Sequence, residues 1–215
     1  MSLILPVPSD RRPRRIVQLY SGLVLYGFSS GLLVLARLGL DPWDAFHQGL
    51  ARHTGLTIGT ITIIISGVVL LLWIPLRQRP GIGTLSNAIL IGLMIDLTIN
   101  LVGYPQTLVL RCLALGAGVG LNGIATGLYI GAGMGPGPRD GLMTGLAARG
   151  RSIRVVRTAI EITVLALGWT LGGTVGIGTL IYALSIGPIA HVTIPLFTVG
   201  RTDPASPPDA HPSVS

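Results

Sequence analysis

The sequence has no lysine, only one cysteine and few charged side chains. Charged residues make up 11% of the chain, whereas soluble domains average about one quarter. Hydrophobic residues make up 49%, and they fall in blocks of about 20, the length that an α-helix needs to cross the hydrocarbon core of a bilayer. This composition excludes an ordinary soluble domain and predicts an all-α, polytopic membrane protein whose first partner is the lipid bilayer.

Several kinds of functional site are also missing from the sequence. Cys112 has no second cysteine with which it could form a disulfide. No cysteine and histidine spacing typical of zinc sites occurs, and nothing else indicates a metal or a cofactor. A nucleophile elbow, an HExxH motif and a P-loop are absent as well. We therefore predict that the protein is not an enzyme.

The basic residues consist of 15 arginines, and the formal net charge is +7. Such a balance is common in proteins that bind nucleic acid, but here the arginines lie in short segments beside apolar blocks. In membrane proteins such arginines set the orientation of the chain, and no nucleic-acid-binding module is recognisable. We predict no nucleic-acid partner.

The apolar blocks predict six membrane spans between two polar tails. Residues 1–15 hold four arginines and little to bury, which predicts a disordered, basic cytoplasmic tail. Residues 200–215 are rich in proline and predict a disordered C-terminal tail. The predicted spans are about 16–36, 57–75, 82–102, 108–130, 153–171 and 177–197.

Two short helices interrupt this series of spans. In the first, Asp41 is a good N-cap, Pro42 suits the first helical position and Asp44 falls in the first turn, near free N–H groups. Pro138 and Asp140 repeat the Pro-x-Asp pattern in the second. Each helix is too short to cross a bilayer, so it is either interfacial or re-entrant.

The recurrence of Pro-x-Asp belongs to a duplication of the whole chain. At an offset of 96 positions, glycines, Pro42 and Asp44 match glycines, Pro138 and Asp140. After one deletion the offset is 95, and Gly81, Gly83 and Thr84 of one Gly-Ile-Gly-Thr turn match Gly176, Gly178 and Thr179 of another. We predict two membrane repeats, residues 16–107 and 108–199.

Three spans in each repeat would give the two halves opposite orientations, as in many transporters and channels. The arginines provide an independent check. With both termini in the cytoplasm, only Arg37, Arg52 and Arg111 lie outside and the other twelve, including Arg139, lie inside. This asymmetry agrees with the positive-inside rule and predicts inverted repeats.

The pattern of span, GxGPxD, short helix, span, Gly-Ile-Gly-Thr turn and span resembles the YczE/YitT-like bacterial integral membrane proteins, and most of all the YczE branch. The residues that carry the resemblance are Gly39–Asp44, Gly131–Asp140 and both turns. It covers about residues 16–197. The resemblance implies this topology and a plasma-membrane location, but no settled substrate and no catalytic residues.

Five ionisable residues are candidates for a substrate site. Asp44 and Asp140 either stabilise helix N-termini or meet at a shared central cavity. Glu161 either belongs to a functional site, because a charge inside a span is costly, or forms an ion pair with Arg157, one turn earlier. Asp96 and His191 occupy equivalent positions and either relay protons or bind a cation, or are solvated near the interface.

The first functional hypothesis is a transporter or channel for an unknown small solute, built from the two inverted repeats. The second is a membrane scaffold or regulator that transports nothing and acts through a protein partner. Its basic inner loop would bind anionic lipid or the partner through Arg149, Arg151, Arg154 and Arg157. The Gly-Ile-Gly-Thr turns could hold an anion on free N–H groups, but a tight structural turn is the simpler interpretation.

Overall fold

A computed structural model describes Leu5 and residues 8–200 of the chain, and all regular structure in these residues is α-helical. The proposed C-terminal tail, apart from Gly200, lies outside the described residues. The helices are α1 (Arg12–Ala36), α2 (Pro42–Thr54), α3 (Ile58–Leu76), α4 (Ile82–Val102), α5 (Leu108–Gly131), α6 (Pro138–Ala147), α7 (Ile153–Thr170) and α8 (Ile177–Phe197).

Within the described residues, five helices are long and apolar enough to cross a membrane, namely α1, α3, α4, α5 and α8. The predicted fifth span corresponds to α7, which has 18 residues. It is not among the five because Arg154, Arg157 and Glu161 all lie within it. The all-helical, multi-pass prediction is confirmed for the described residues.

The N-terminal boundary predicted from the sequence is wrong. Helix α1 begins at Arg12, inside the segment predicted to be a disordered tail, and Arg15 is buried. The Arg15 guanidinium donates to Ala132 O at 2.7 Å, to Val199 O at 3.0 Å and to the Asp10 carboxylate at 2.7 Å. The hydrogen bond from Arg15 lowers the pKa of Asp10. This arginine therefore ties the start of α1 to the ends of α5 and α8.

A matching arginine performs the same task at the other end of α1. Arg111, 96 positions after Arg15, donates from Nε to Ala36 O at 2.7 Å. Ala36 and Ala132 are themselves equivalent positions of the two halves. Each half thus supplies an arginine that satisfies a free carbonyl at the end of the other half's first long helix.

Helices α1 and α5 pack along each other at the centre, with α4 against α1 and α8 against α5. Glycines allow these close approaches. A β-carbon at Gly27 would lie 2.7 Å from Ile91 O of α4, and one at Gly127 would lie 2.6 Å from Thr193 Cβ of α8. Gly27 and Gly127 are therefore buried in helix–helix contacts.

The short helices lie inside the bundle, and each packs across to the other half. Helix α2 packs against α7 and α3, and α6 packs against α3 and α7. Both sides of α2 are buried, because Gln48 is 9% exposed and accepts a hydrogen bond from Thr174 N at 2.6 Å. Neither short helix lies on the surface of the bundle, a placement that brings their N-termini toward its centre.

Candidate functional site

A cavity of about 520 Å³ lies where the two short helices meet the long helices. Its walls include Asp41 and Trp43 at the start of α2, residues 137–140 at the start of α6, and residues of all six long helices. Pockets of roughly 300–1,000 Å³ are typical of small-molecule sites. The cavity has the size and the charged lining of a site for a small solute.

The segment before each short helix is held by the Gly-Ile-Gly-Thr turn of the other half. Gly83 N donates to Met134 O at 2.9 Å, and Gly178 N donates to Leu38 O at 2.8 Å. The Thr84 hydroxyl donates to Pro136 O at 2.7 Å and accepts from Gly81 N. Thr179 accepts from Gly176 N in the same way. These N–H groups are used inside the fold, so the turns are structural and position both short-helix starts.

The start of α2 is capped as predicted. Asp41 Oδ1 accepts hydrogen bonds from Trp43 N at 3.0 Å and Asp44 N at 3.1 Å, with Pro42 in the first turn. The start of α6 differs, because its N-cap is Gly137, which has no side chain to accept a bond. Pro138 again opens the helix. The Asp140 carboxylate is therefore not used as an N-cap.

Arg139 is the main departure from the sequence prediction. The sequence predicts that Arg139 lies on the cytoplasmic side, but it lines the cavity with its side chain only 20% exposed. Its guanidinium nitrogens lie 3.8 Å from Asp41 Oδ1 and 3.5 Å from Asp44 Oδ1. Its charge is therefore shared between two buried carboxylates of the opposite half, and also lies 5.1 Å from the centre of the Trp43 ring.

Asp44 itself lies behind the cavity wall rather than on it. Its side chain is 2% exposed, and Oδ1 also lies 3.5 Å from His47 Nδ1. His47 is fully buried and its Nδ1 lies 3.0 Å from the Thr62 hydroxyl. Asp44 thus belongs to a buried polar network that holds Arg139, and it is not among the residues that face the cavity.

Asp140 does face the cavity. Its Oδ2 accepts a hydrogen bond from the Tyr129 hydroxyl at 2.9 Å. Among the described residues, no arginine or histidine nitrogen comes within 4 Å of this carboxylate, in contrast to Asp41 and Asp44. The two aspartates of the repeated Pro-x-Asp pattern therefore have different surroundings.

Glu161 and His191 line the cavity from α7 and α8. Arg157 Nε donates to Glu161 Oε1 at 2.9 Å, which is the ion pair that the spacing of four residues allows. The pair is only partly shielded, since the side chains are 57% and 35% exposed. His191 is exposed, so this side of the cavity reaches the surface of the bundle.

Asp96 lies away from the cavity, although its sequence counterpart His191 lines it. The Asp96 carboxylate accepts hydrogen bonds from Gly59 N at 2.8 Å and from the Thr57 hydroxyl. It satisfies free groups at the N-terminus of α3. The structure does not bring Asp96 and His191 together.

Several residues of the wall were not identified from the sequence. They include Arg139, Asn87 and three tyrosines, Tyr26, Tyr129 and Tyr182. Tyr182 donates to Asn122 Oδ1 at 2.9 Å. One signal was present: Asn87 and Tyr182 occupy equivalent positions, as do Thr62 and Arg157, and all four line the cavity. Polar residues at matched repeat positions would have pointed to this wall.

No group of three or more histidine, cysteine, aspartate or glutamate side chains in Leu5 and residues 8–200 could hold a metal ion. The charged groups of the wall form ion pairs and hydrogen bonds instead. Chemically, the cavity offers carboxylates, guanidinium groups, phenol hydroxyls and aromatic faces to a solute.

The chain is similar to one family of unknown function and to proteins that are described as uncharacterized. The family described as "Family of unknown function (DUF6198)" matches residues 13–195. An uncharacterized protein of Haemophilus influenzae is 43% identical over 79% of this chain and 78% of its own length. The uncharacterized membrane protein YczE of Bacillus subtilis is 36% identical over 82% of this chain and 83% of its own. The uncharacterized protein YyaS of the same organism is 30% identical over 81% and 90%. No solved structure matches.

Proposed function

The chain belongs to the DUF6198 family, whose function is unknown, and we propose that it is a transporter or channel for a small solute. The resemblance to the YczE branch is confirmed by the similarity to the YczE protein itself. The membrane protein YczE among the relatives and the five long apolar helices support an integral membrane protein, whereas the transport role rests on the cavity.

The observation that carries the proposal is a charged cavity at the junction of the two sequence halves. Arg139 of the second half is held there by Asp41 and Asp44 of the first. Ionisable residues inside a membrane protein are costly in free energy, and where they occur they pair with one another and mark substrate or ion pathways. Broken helices that meet near the midplane form the solute sites of many transporters.

The proposed topology has six spans, with α7 as the sixth and its charged face turned to the cavity through Arg157 and Glu161. The two short helices are re-entrant, and the halves have opposite orientations in the plasma membrane. Both termini lie in the cytoplasm. With Arg139 in the interior, eleven arginines remain on the proposed inner side and three on the outer, which still satisfies the positive-inside rule.

The proposed entry to the cavity lies between α7 and α8. These helices stand apart along almost their whole length, and Ala183, Gly187 and His191 of α8 line the cavity while being exposed. On the opposite side Thr62 and Ser66 line the cavity but are buried. The solute would enter on the α7–α8 side and would undergo no chemical step.

The proposal is tested by solute flux into proteoliposomes that hold the purified protein, with a panel of cationic, anionic, zwitterionic and neutral metabolites. Asp140→Asn and Glu161→Gln alter the cavity wall and are expected to reduce flux. Asp96→Asn is the matched control, because Asp96 lies outside the cavity. Absence of flux for every solute by a folded protein would overturn the proposal.

A scaffold or regulatory role is the second candidate, and the same open side of the bundle favours it. Arg151 and Arg154 are exposed at the start of α7, where anionic lipid or an acidic partner would bind. Arg149 and Arg157 are partly occupied by Pro75 O and Glu161. Co-purification of a stoichiometric membrane partner, lost on Arg151→Gln with Arg154→Gln, together with no flux, would favour this role.

A further inference from the structure

The charges on the cavity wall are unequal, and their balance points to the class of solute. Three carboxylates face the cavity, those of Asp41, Asp140 and Glu161, against two guanidinium groups, those of Arg139 and Arg157. Asp44 adds a fourth carboxylate directly behind Arg139. The wall and this neighbour therefore hold four carboxylates against two guanidinium groups, a formal excess of two negative charges.

Pairing distributes the two excess charges over two places. Arg139 lies between Asp41 and Asp44, which leaves one negative charge in that buried cluster, and Arg157 is matched by Glu161, which leaves the second charge at Asp140. The Asp140 carboxylate receives one neutral hydrogen bond, from the Tyr129 hydroxyl, and no cationic side chain of the described residues lies within 4 Å. A carboxylate on a partly enclosed wall is stabilised by a cation brought to it.

The surroundings of Asp140 suit an organic cation better than a bare metal ion. Tyr26 and Tyr129 stack edge to face with ring centres 5.8 Å apart, and both line the cavity. Aromatic faces attract ammonium groups, whereas divalent metal ions require several oxygen or nitrogen ligands. Ile91, Ile130 and Ile186 add apolar wall for the body of the solute.

Trp43 contributes another aromatic ring to this wall. The residue is 7% exposed, and its ring centre lies 5.1 Å from the Arg139 guanidinium carbon. Its Nε1 is buried and has no hydrogen-bond partner among the described residues, so the ring, and not this N–H, is the part that a solute can contact.

We infer that the cavity binds a small organic cation, an amine or quaternary ammonium compound, with its positive charge at Asp140. This inference rests on the proposed function, since it names the solute class of the same cavity. The uncompensated carboxylate and the aromatic faces together select this class over anions and sugars.

Binding to the purified full-length protein in detergent tests the inference, measured by isothermal titration calorimetry. Choline is the cationic probe, and 3,3-dimethylbutan-1-ol is its uncharged counterpart with the same shape. We expect choline to bind at least about tenfold more tightly than the alcohol, and Asp140→Asn to remove at least about tenfold of its affinity, since each change removes one partner of a charge pair. Asp96→Asn is the control and should leave choline binding unchanged.

Equal binding of choline and the alcohol would overturn the inference, as would choline binding that Asp140→Asn leaves intact. If neither choline nor tetraethylammonium, a larger cation, binds to the protein, the inference is overturned. An unfolding curve for Asp140→Asn checks that the variant is folded, and Tyr129→Phe offers a second variant that retains the carboxylate and should keep the preference for the cation.

Flux of an anionic or neutral solute without cation binding would overturn the inference but keep the proposed function. Asp140-dependent cation binding without any flux would support the inference and overturn the proposed function.

Discussion

Two helix pairs flank the cavity, and only one of them is closed. Helix α3 packs along α4, where a β-carbon at Gly92 would lie 2.7 Å from Ile63 Cγ1 and would overlap Gly59 O. The corresponding helices α7 and α8 stand apart, and a β-carbon at Gly187, the counterpart of Gly92, would meet none of the described residues within 4 Å. The cavity is therefore sealed on the α3–α4 side and open on the α7–α8 side.

The sequence contains a cause for this difference. Gly59, which touches Gly92 in the closed pair, corresponds to Arg154 in the second half. Close helix packing in membranes depends on small residues at the contact, and an arginine at that position prevents it. Thr62 and Ser66 likewise correspond to Arg157 and Glu161. The first half thus has a tight helix pair where the second half has a charged, accessible wall.

The largest expected difference in stability is between a variant that removes a buried charge and one that removes an accessible charge. Arg139→Gln leaves Asp41 and Asp44 without their cation in the interior, so we expect the free energy of unfolding to fall by about 3 kcal/mol or more. Arg157→Gln removes only a partly exposed pair on the open side, which is worth about 0.3–0.5 kcal/mol. Unfolding by SDS in mixed micelles, followed by circular dichroism, measures both. Similar losses for the two variants would contradict the difference in burial.

The next largest expected effect on stability concerns Gly92 of α4 and its counterpart Gly187 of α8. Gly92→Ala places a methyl group against Ile63 and Gly59, and overpacking of this kind costs about 1–3 kcal/mol. Gly187→Ala meets open space in the interior of α8, where alanine is favoured over glycine by up to about 1 kcal/mol, so its stability should stay the same or rise. The same unfolding assay compares them. Equal destabilisation would mean that α7 and α8 are in contact in the membrane.

The smallest effect concerns the equivalent residues Asp96 and His191. Asp96→Ala removes the acceptor for Gly59 N at the start of α3, and loss of such a cap costs about 1 kcal/mol. His191→Ala alters an exposed side chain and should change the free energy of unfolding by less than about 0.5 kcal/mol. A larger loss for His191→Ala than for Asp96→Ala would show that the roles assigned to these positions are reversed.

The sequence predicted the parts of this architecture that depend on local pattern. Apolar blocks located the helices, and Asp41-Pro42 located the capped start of α2. It did not predict that Arg139 enters the interior, because its partners, Asp41 and Asp44, lie in the other half. The separation of α7 and α8 also depends on packing between distant segments, although Arg154 at the position of Gly59 indicated it.

Thiol labelling at one pair of equivalent alanines tests the central claim that the cavity is open on the α7–α8 side and closed on the other. Ala88 of α4 is 6% exposed, whereas its counterpart Ala183 of α8 is exposed and lines the cavity. Cys112, the native thiol, is exposed, so Cys112→Ser provides the background for Ala88→Cys and Ala183→Cys. In proteoliposomes, N-ethylmaleimide should modify the thiol at position 183 at least about tenfold faster than that at position 88, since thiol reactivity requires access and an ionised sulfur. Equal rates for the two folded variants, or a faster reaction at position 88, would contradict the account.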